Sequence, residues 1–135
     1  MIEPAPSIRP LVLVADDDED ILTLVTFRLE RAGCDVVKAR SGDDALRFAL
    51  EQVPALAVLD VMMPGLDGYQ VTRELRRGEA TSTMPIILLT ARAEESDVAR
   101  GLAAGADEYV KKPFDARDLL ERVERLLSRS LAKPA

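Results

Sequence analysis

The chain has 135 residues, 47% of them hydrophobic and 31% charged, and it contains no histidine. That length suits one globular domain with a core of ordinary size and excludes two full ones. A net charge of -6 argues against gripping nucleic acid or an anionic membrane through the overall field, and without imidazole no Ser-His or Cys-His nucleophile pair and no histidine metal site can be built.

The opening "MIEPAPSIRP" has neither an apolar core nor a basic start, so it is not a signal peptide, and residues 1–8 read as a Pro-rich flexible leader. A first strand is predicted over Leu11–Ala15, followed by five acids, Asp16 to Asp20. The next helix carries Ile21, Leu22, Leu24, Val25, Leu29 and Ala32 on a broad apolar face and stops at Gly33. Cys34, the single cysteine, cannot form an internal disulfide; beside Val36-Val37 it reads as a small core residue, and the natural setting is a reducing cytoplasm. The second strand, Asp35–Ala39, alternates apolar and polar residues and suits a sheet edge. Ser41, with Asp44 in capping-box-like spacing, starts a second helix that ends before Pro54.

Ala55–Leu59 is a third, wholly apolar strand, and a third helix is predicted from about Asp67 to Arg77, stopped by Gly78. Pro85–Leu89 is the fourth strand. Between Arg92 and Ala104 the pattern is thin, with Val98 and Leu102 as the large apolar residues, so that helix is expected to be weakly held. A fifth strand at Asp107–Val110 precedes a last helix, Ala116 to about Arg129, whose Leu119, Leu120, Val123, Leu126 and Leu127 share one face. The domain thus spans 9–129, and residues 130–135 read as a tail or the start of a linker. No apolar run approaches membrane-spanning length.

Strands alternating with helices imply a parallel sheet, and such sheets place ligands outside the C-terminal strand ends. The first strand ends at Asp16-Asp17, the third at Asp60, the fourth at Thr90 and the fifth near Lys112, just before Pro113. These are the groups a phosphoryl-transfer site needs. Acids in a first helical turn also serve as caps, which accounts for Asp18, Glu19 and Asp20 but not for Asp16 and Asp17. Three carboxylates meeting at adjacent strand ends cannot all stay ionised without a cation, and a hard divalent ion such as Mg2+, or Mn2+ in its place, resolves the conflict.

"LVLVADD", "AVLDVMMPGLDG", "ILLTA" and "GADEYVKKPF", in this order and spacing, resemble the acidic pair, phosphoacceptor loop, threonine strand and Lys-Pro motif of the receiver domain of two-component response regulators. The resemblance runs from about Arg9 to Ser128. It implies a flavodoxin-like, doubly wound five-stranded parallel sheet of order 2-1-3-4-5 with five helices. Asp60 would accept a phosphoryl group from a phosphohistidine of a sensor histidine kinase or phosphotransfer protein. Asp17 and Asp60 would bind Mg2+ directly, Asp16 through water, and the Met62 main-chain carbonyl would add a ligand. Lys112 would pair with phosphoryl oxygens, its bond to Pro113 in cis; choosing it over Lys111 rests on the resemblance and the adjacent proline.

Thr90 and Tyr109 would form a switch. The hydroxyl of Thr90 turns to the phosphoryl group, Tyr109 rotates inward, and the surface of the fourth helix, fifth strand and fifth helix changes. Such a domain assists its own phosphorylation and dephosphorylation without being an enzyme in the usual sense. The resemblance implies that the side chains two positions after Asp60 and Thr90, here Met62 and Arg92, flank the path of a hydrolytic water. Neither can orient that water as a carboxylate could, which predicts a long-lived acyl phosphate. The segment near Ile21 to Val25 is where family members dock a kinase. Asp107, Glu108 and Arg122 resemble the charged surface through which winged-helix transcription-factor regulators form homodimers on phosphorylation.

Two other classes compete. Asp16-x-Asp18 after an apolar strand is similar to the start of haloacid-dehalogenase-like Mg2+ phosphatases, although Glu19 stands where Thr or Val is typical. A receiver-like adaptor that binds partners without phosphorylation is the third reading. The output domain or target protein is not legible in the sequence.

Overall fold

The computed structural model describes residues 9–91 and 94–132; the leader expected over 1–8, the lifetime-tuning position Arg92 and the last three residues of the expected tail lie outside it. Five strands, β1 Leu11–Ala15, β2 Asp35–Ala39, β3 Leu56–Asp60, β4 Ile86–Thr90 and β5 Glu108–Lys111, alternate with five helices. These are α1 Glu19–Arg31, α2 Gly42–Gln52, α3 Gly68–Arg77, α4 Glu95–Ala104 and α5 Ala116–Ala132. All neighbouring strands are parallel, in the order β2-β1-β3-β4-β5 expected of a flavodoxin-like sheet.

Register positions the polar strand ends. Ala15 pairs with Leu59, so the residues that follow each, Asp16 and Asp60, leave the sheet side by side. Thr90 pairs with Lys111 on the next strand pair. Winding reverses between β1 and β3, which opens a crevice at these ends.

Period-2 alternation along β1 sends Leu13 and Ala15 to one face of the sheet and Val12 and Val14 to the other. On the second face Leu22, Val25 and Leu29 of α1 meet Leu119, Val123 and Leu126 of α5, as their helical spacing predicts. The first face packs alanines from α2 and α4 with Tyr69, Val71 and Leu75 of α3. Burying one such leucine contributes about 1.5–3 kcal/mol, and the all-aliphatic β3 and β4 are buried throughout.

Two sequence expectations are corrected in detail. Leu24 is 41% exposed and Ala32 is also exposed, so the buried face of α1 is a narrower stripe than the one predicted. In α4 it is Gly101 and Ala104 that face inward, while Leu102 is 51% exposed. The thin pattern thus conceals an even smaller buried face, and Glu94 caps the helix without any side-chain hydrogen bond. By contrast α3 opens with a full capping box between Asp67 and Gln70. Cys34 is buried, as expected of a core residue, and burial pushes its thiol up.

Candidate functional site

Three carboxylates meet at the crevice. Asp16, Asp17 and Asp60 each offer an oxygen within 4.8 Å of the others, with Asp16 and Asp60 buried and Asp17 exposed. The strand-end geometry therefore brings together the three acids that the sequence singled out. Asp16 is held from two sides, its Oδ1 accepting from the Asp18 amide at 2.9 Å and its Oδ2 from Lys112 Nζ at 2.7 Å. Asp60 lies 3.4 Å from the same ammonium, and its Oδ1 accepts from the Met62 amide, also at 3.4 Å.

Lys112 reaches this position from the far side of β4. Its amide donates to the Thr90 carbonyl at 2.8 Å, and its bond to Pro113 is cis, as the resemblance implies. Burial opposes the charge on Lys112, but the bond to Asp16 and the nearby Asp60 outweigh it and hold its pKa above 10.5. For Asp60 burial is the leading cause and Asp16 the second; together they raise its pKa from 3.8 to about 6 against the pull of Lys112. At neutral pH Asp60 is still mostly ionised, and a carboxylate is the form that can act as a nucleophile.

One ammonium offsets one of the three carboxylate charges. The remaining excess is about that of a divalent cation, and the donor set consists of hard oxygens, so Mg2+ or Mn2+ fits the residues present. Asp18, by contrast, accepts from the Asp20 and Ile21 amides and caps α1. That use leaves the Asp16-x-Asp18 phosphatase reading without its second acid.

The loop after β3 is held tightly. Gly68 donates its amide to the Val61 carbonyl at 2.9 Å, and a Cβ there would lie 2.7 Å from the Asp60 carbonyl oxygen. Gly42 donates to the Pro64 carbonyl at 3.0 Å and approaches Leu66 so closely that any side chain would collide with it. Met62 is 52% exposed at the rim.

Thr90 is buried at the end of β4. Tyr109 is half-buried and packs against the core face that holds Tyr69 and Leu88. Its hydroxyl is 3.1 Å from that of Tyr69, and burial is the leading cause that pushes its pKa up. Gly101 makes room for the ring, since a Cβ there would stand 2.7 Å from Tyr109 Cδ2.

Asp107, Glu108 and Arg122 are all paired within the chain. Arg76 bonds to Asp107 at 3.0 Å, Asp107 also accepts from the Ile86 amide at 2.8 Å, and Arg122 bonds to Glu108 at 2.6 Å and to Asp118 at 3.1 Å. Sequence reasoning missed Arg76, which also donates to the Gly105 and Met84 carbonyls and ties the ends of α3 and α4 together. It missed Tyr69 as well. The available signal was a large aromatic immediately after the Asp67-Gly68 helix start, in a chain with two tyrosines.

Fold and site together define a signalling module and not a classical enzyme. The profile of the response regulator receiver domain matches residues 12–124. The chain belongs to that family, whose members are phosphorylated by sensor kinases in two-component systems. It is 46% identical over 125 residues to the alkaline phosphatase synthesis transcriptional regulatory protein PhoP of Bacillus subtilis, covering 92% of this chain and 51% of that one. Against the transcriptional regulatory protein AfsQ1 of Streptomyces coelicolor it is 48% identical over 120 residues, covering 89% and 52%. The chain thus spans about half the length of the curated relatives it matches. Among solved structures, the receiver domain of the sensor histidine kinase PA1611 of Pseudomonas aeruginosa superposes with a TM-score of 0.83 at 32% identity, covering 90% of this chain and 99% of that one. That protein holds a magnesium ion coordinated in its active site cleft.

Proposed function

We propose that Asp60 accepts a phosphoryl group from the phosphohistidine of a sensor kinase or phosphotransfer protein. A carboxylate oxygen of Asp60 attacks phosphorus, the O–P bond forms as the N–P bond breaks, and the electron pair leaves with the imidazole nitrogen of the donor. The observation that carries this reading is the cluster of Asp16, Asp17 and Asp60 with the Lys112 ammonium 2.7 Å and 3.4 Å from two of them, in a chain of this family.

Asp16, Asp17 and Asp60 would hold Mg2+, or Mn2+, with the Met62 carbonyl as a further ligand. When bound, the ion would supply positive charge against the phosphoryl oxygens. Lys112 adds an ammonium to the same oxygens as charge spreads over them. Thr90 turns its hydroxyl toward the phosphoryl group, and Tyr109 reads that movement out to the surface of α4, β5 and α5. The setting is the cytoplasm, where such kinases present their phosphohistidine. No helix among the described residues is long and apolar enough to cross a membrane.

A homodimer across α4, β5 and α5 is the assembly this reading suggests, formed by exchanging the pairs of Asp107 and Glu108 within the chain for pairs between chains. Such exchanges at exposed sites contribute about 0–1 kcal/mol each, so apolar contact has to supply the rest.

Incubation with acetyl phosphate and Mg2+ tests the central step. Stoichiometric, alkali-labile phosphate mapping to Asp60, absent in Asp60→Asn, is the expected result. Turnover without retention would favour a phosphatase, and no uptake would favour an unphosphorylated adaptor.

A further inference from the structure

Gly42, the first residue of α2, is buried and takes no part in the proposed chemistry. The first amides of a helix have no partner within it and must be satisfied from outside. That of Gly42 donates to the Pro64 carbonyl at 3.0 Å, in the loop that follows Asp60. The two main chains lie too close for a side chain between them: a Cβ on Gly42 would collide with the Leu66 carbonyl, and a Cβ on Gly65, whose φ is 76°, would collide with the Asp43 carboxylate. Three residues before Gly42, the Ala39 carbonyl accepts from the Asp16 amide at 3.0 Å. Residues 39–42 therefore form a short strut, with one end on Asp16 and the other on the loop that carries Met62.

That loop has little room to absorb a push. Its ends are drawn together by the bond from the Gly68 amide to the Val61 carbonyl at 2.9 Å, and a Cβ on Gly68 would stand 2.7 Å from the Asp60 carbonyl oxygen. Asp67 is engaged in the capping box of α3, and Met63 is buried in the core. With both of these fixed, a shift of Pro64 pivots the main chain about Met63 and turns Met62. The bond from the Met62 amide to Asp60 Oδ1, at 3.4 Å, is too long to resist that turn.

We propose that Gly42 is a positioning residue of the metal centre: standing main chain to main chain against the loop and donating to Pro64, it fixes the Met62 carbonyl relative to Asp16. The carboxylates supply the charge, and the strut sets the direction of the neutral ligand. Mg2+ demands near-octahedral geometry, so its binding is sensitive to a displaced ligand. Linkage works in both directions. A strut that readies the loop for the ion must itself be tightened by the bound ion, by the same factor.

The inference rests on the reading of Asp16, Asp17, Asp60 and Met62 as the metal ligands, and proton–nitrogen NMR of the whole chain titrated with Mg2+ tests the two separately. Amide shifts of Asp17 and Asp60 give the affinity. In wild type, Mg2+ should slow hydrogen exchange of the Gly42 amide several-fold and leave that of Val53, at the other end of α2, unchanged. Gly42→Ala should bind Mg2+ about tenfold more weakly, as loss of an outer support of a metal ligand does. Gly33→Ala is the control. Gly33 has a φ of 98° and lies between α1 and β2, at the opposite end of the sheet, with nothing within 4 Å of a Cβ, so this variant is strained without touching the loop and should bind within twofold of wild type. Equal affinity in wild type and Gly42→Ala, an equal loss in both variants, or Gly42 exchange indifferent to Mg2+ would overturn the strut. The exchange measurement uses wild type and holds even where Gly42→Ala fails to fold. No shift at Asp17 or Asp60 in wild type would instead overturn the metal reading on which the inference rests.

Discussion

Replacing Asp60 by Asn should make the ion-free protein more stable, although Asp60 is the residue on which the proposed chemistry turns. Asp60 is 5% exposed, and its closest cation, Lys112, sits nearer to Asp16, at 2.7 Å against 3.4 Å. Its pKa of about 6 in place of 3.8 means that the folded protein binds the proton more tightly than the unfolded chain does. Stability therefore falls as pH rises through the window from about 4 to about 6, and the full cost is present above it. A gap of about two units corresponds to about 3 kcal/mol. Asn keeps the shape and removes the charge, but it forgoes the attraction to Lys112. The net gain is then about 1–2 kcal/mol, or about 4–8 °C in Tm for a domain of this size. Thermal unfolding in EDTA, followed by circular dichroism at about pH 7.5 and about pH 4.5, measures it. The gain should be largest at the higher pH and mostly absent at the lower one, where native Asp60 is already protonated. Asp60→Asn melting at or below wild type at about pH 7.5, or an equal gain at both, would refute the argument.

Lys112→Gln should do the opposite, leaving buried Asp16 and Asp60 without their ammonium and lowering stability by about 2–3 kcal/mol in urea titrations without metal. Because the folded pKa of Lys112 is raised, its contribution is present below about 10.5 and disappears as pH climbs through the folded value, so the two proteins should converge in alkali. Val53 closes α2 in the left-handed region at φ 43° and is 44% exposed, so Val53→Asn should raise the urea midpoint by the equivalent of about 1 kcal/mol. Met62→Asn combined with Arg92→Glu, which together supply groups able to orient water, should shorten the lifetime of labelled, kinase-free phosphoprotein several-fold; equal decay of both proteins would count against the long-lived acyl phosphate.

Much of the fold was legible because its signals are local. Apolar strands of about five residues, Ser41 and Asp67 as caps, and Gly33 and Gly78 as stops each act within a few residues of themselves, and the helices fall where these mark them. Asp16, Asp17, Asp60 and Thr90 were legible for a related reason: once the sheet is parallel, strand ends converge wherever they occur in the chain, whereas Lys112 was told from Lys111 by the resemblance and the adjacent proline. The residues that escaped notice do their work through distant partners. Arg76 looks like any surface arginine until Gly105, Met84 and Asp107 are brought to it. Tyr69 shows its polar role only when Asp97 and Tyr109, 28 and 40 residues away, close around it. Leu24 and Leu102 misled in the other direction, because an apolar residue at the margin of a helical face can fall on either side of the waterline.

The sheet also divides the domain into halves of unequal stiffness. Toward α1 and α5, leucines and valines interlock across the whole contact, so these helices can move only together with the strands beneath them. Toward α4 the meeting surfaces are Gly101 and Ala104, which have almost nothing to interlock. A displacement that starts at the strand ends is therefore absorbed on the compliant side and carried as rigid-body motion on the other. Whatever visits α1 meets one shape throughout, while α4 has the freedom to present two.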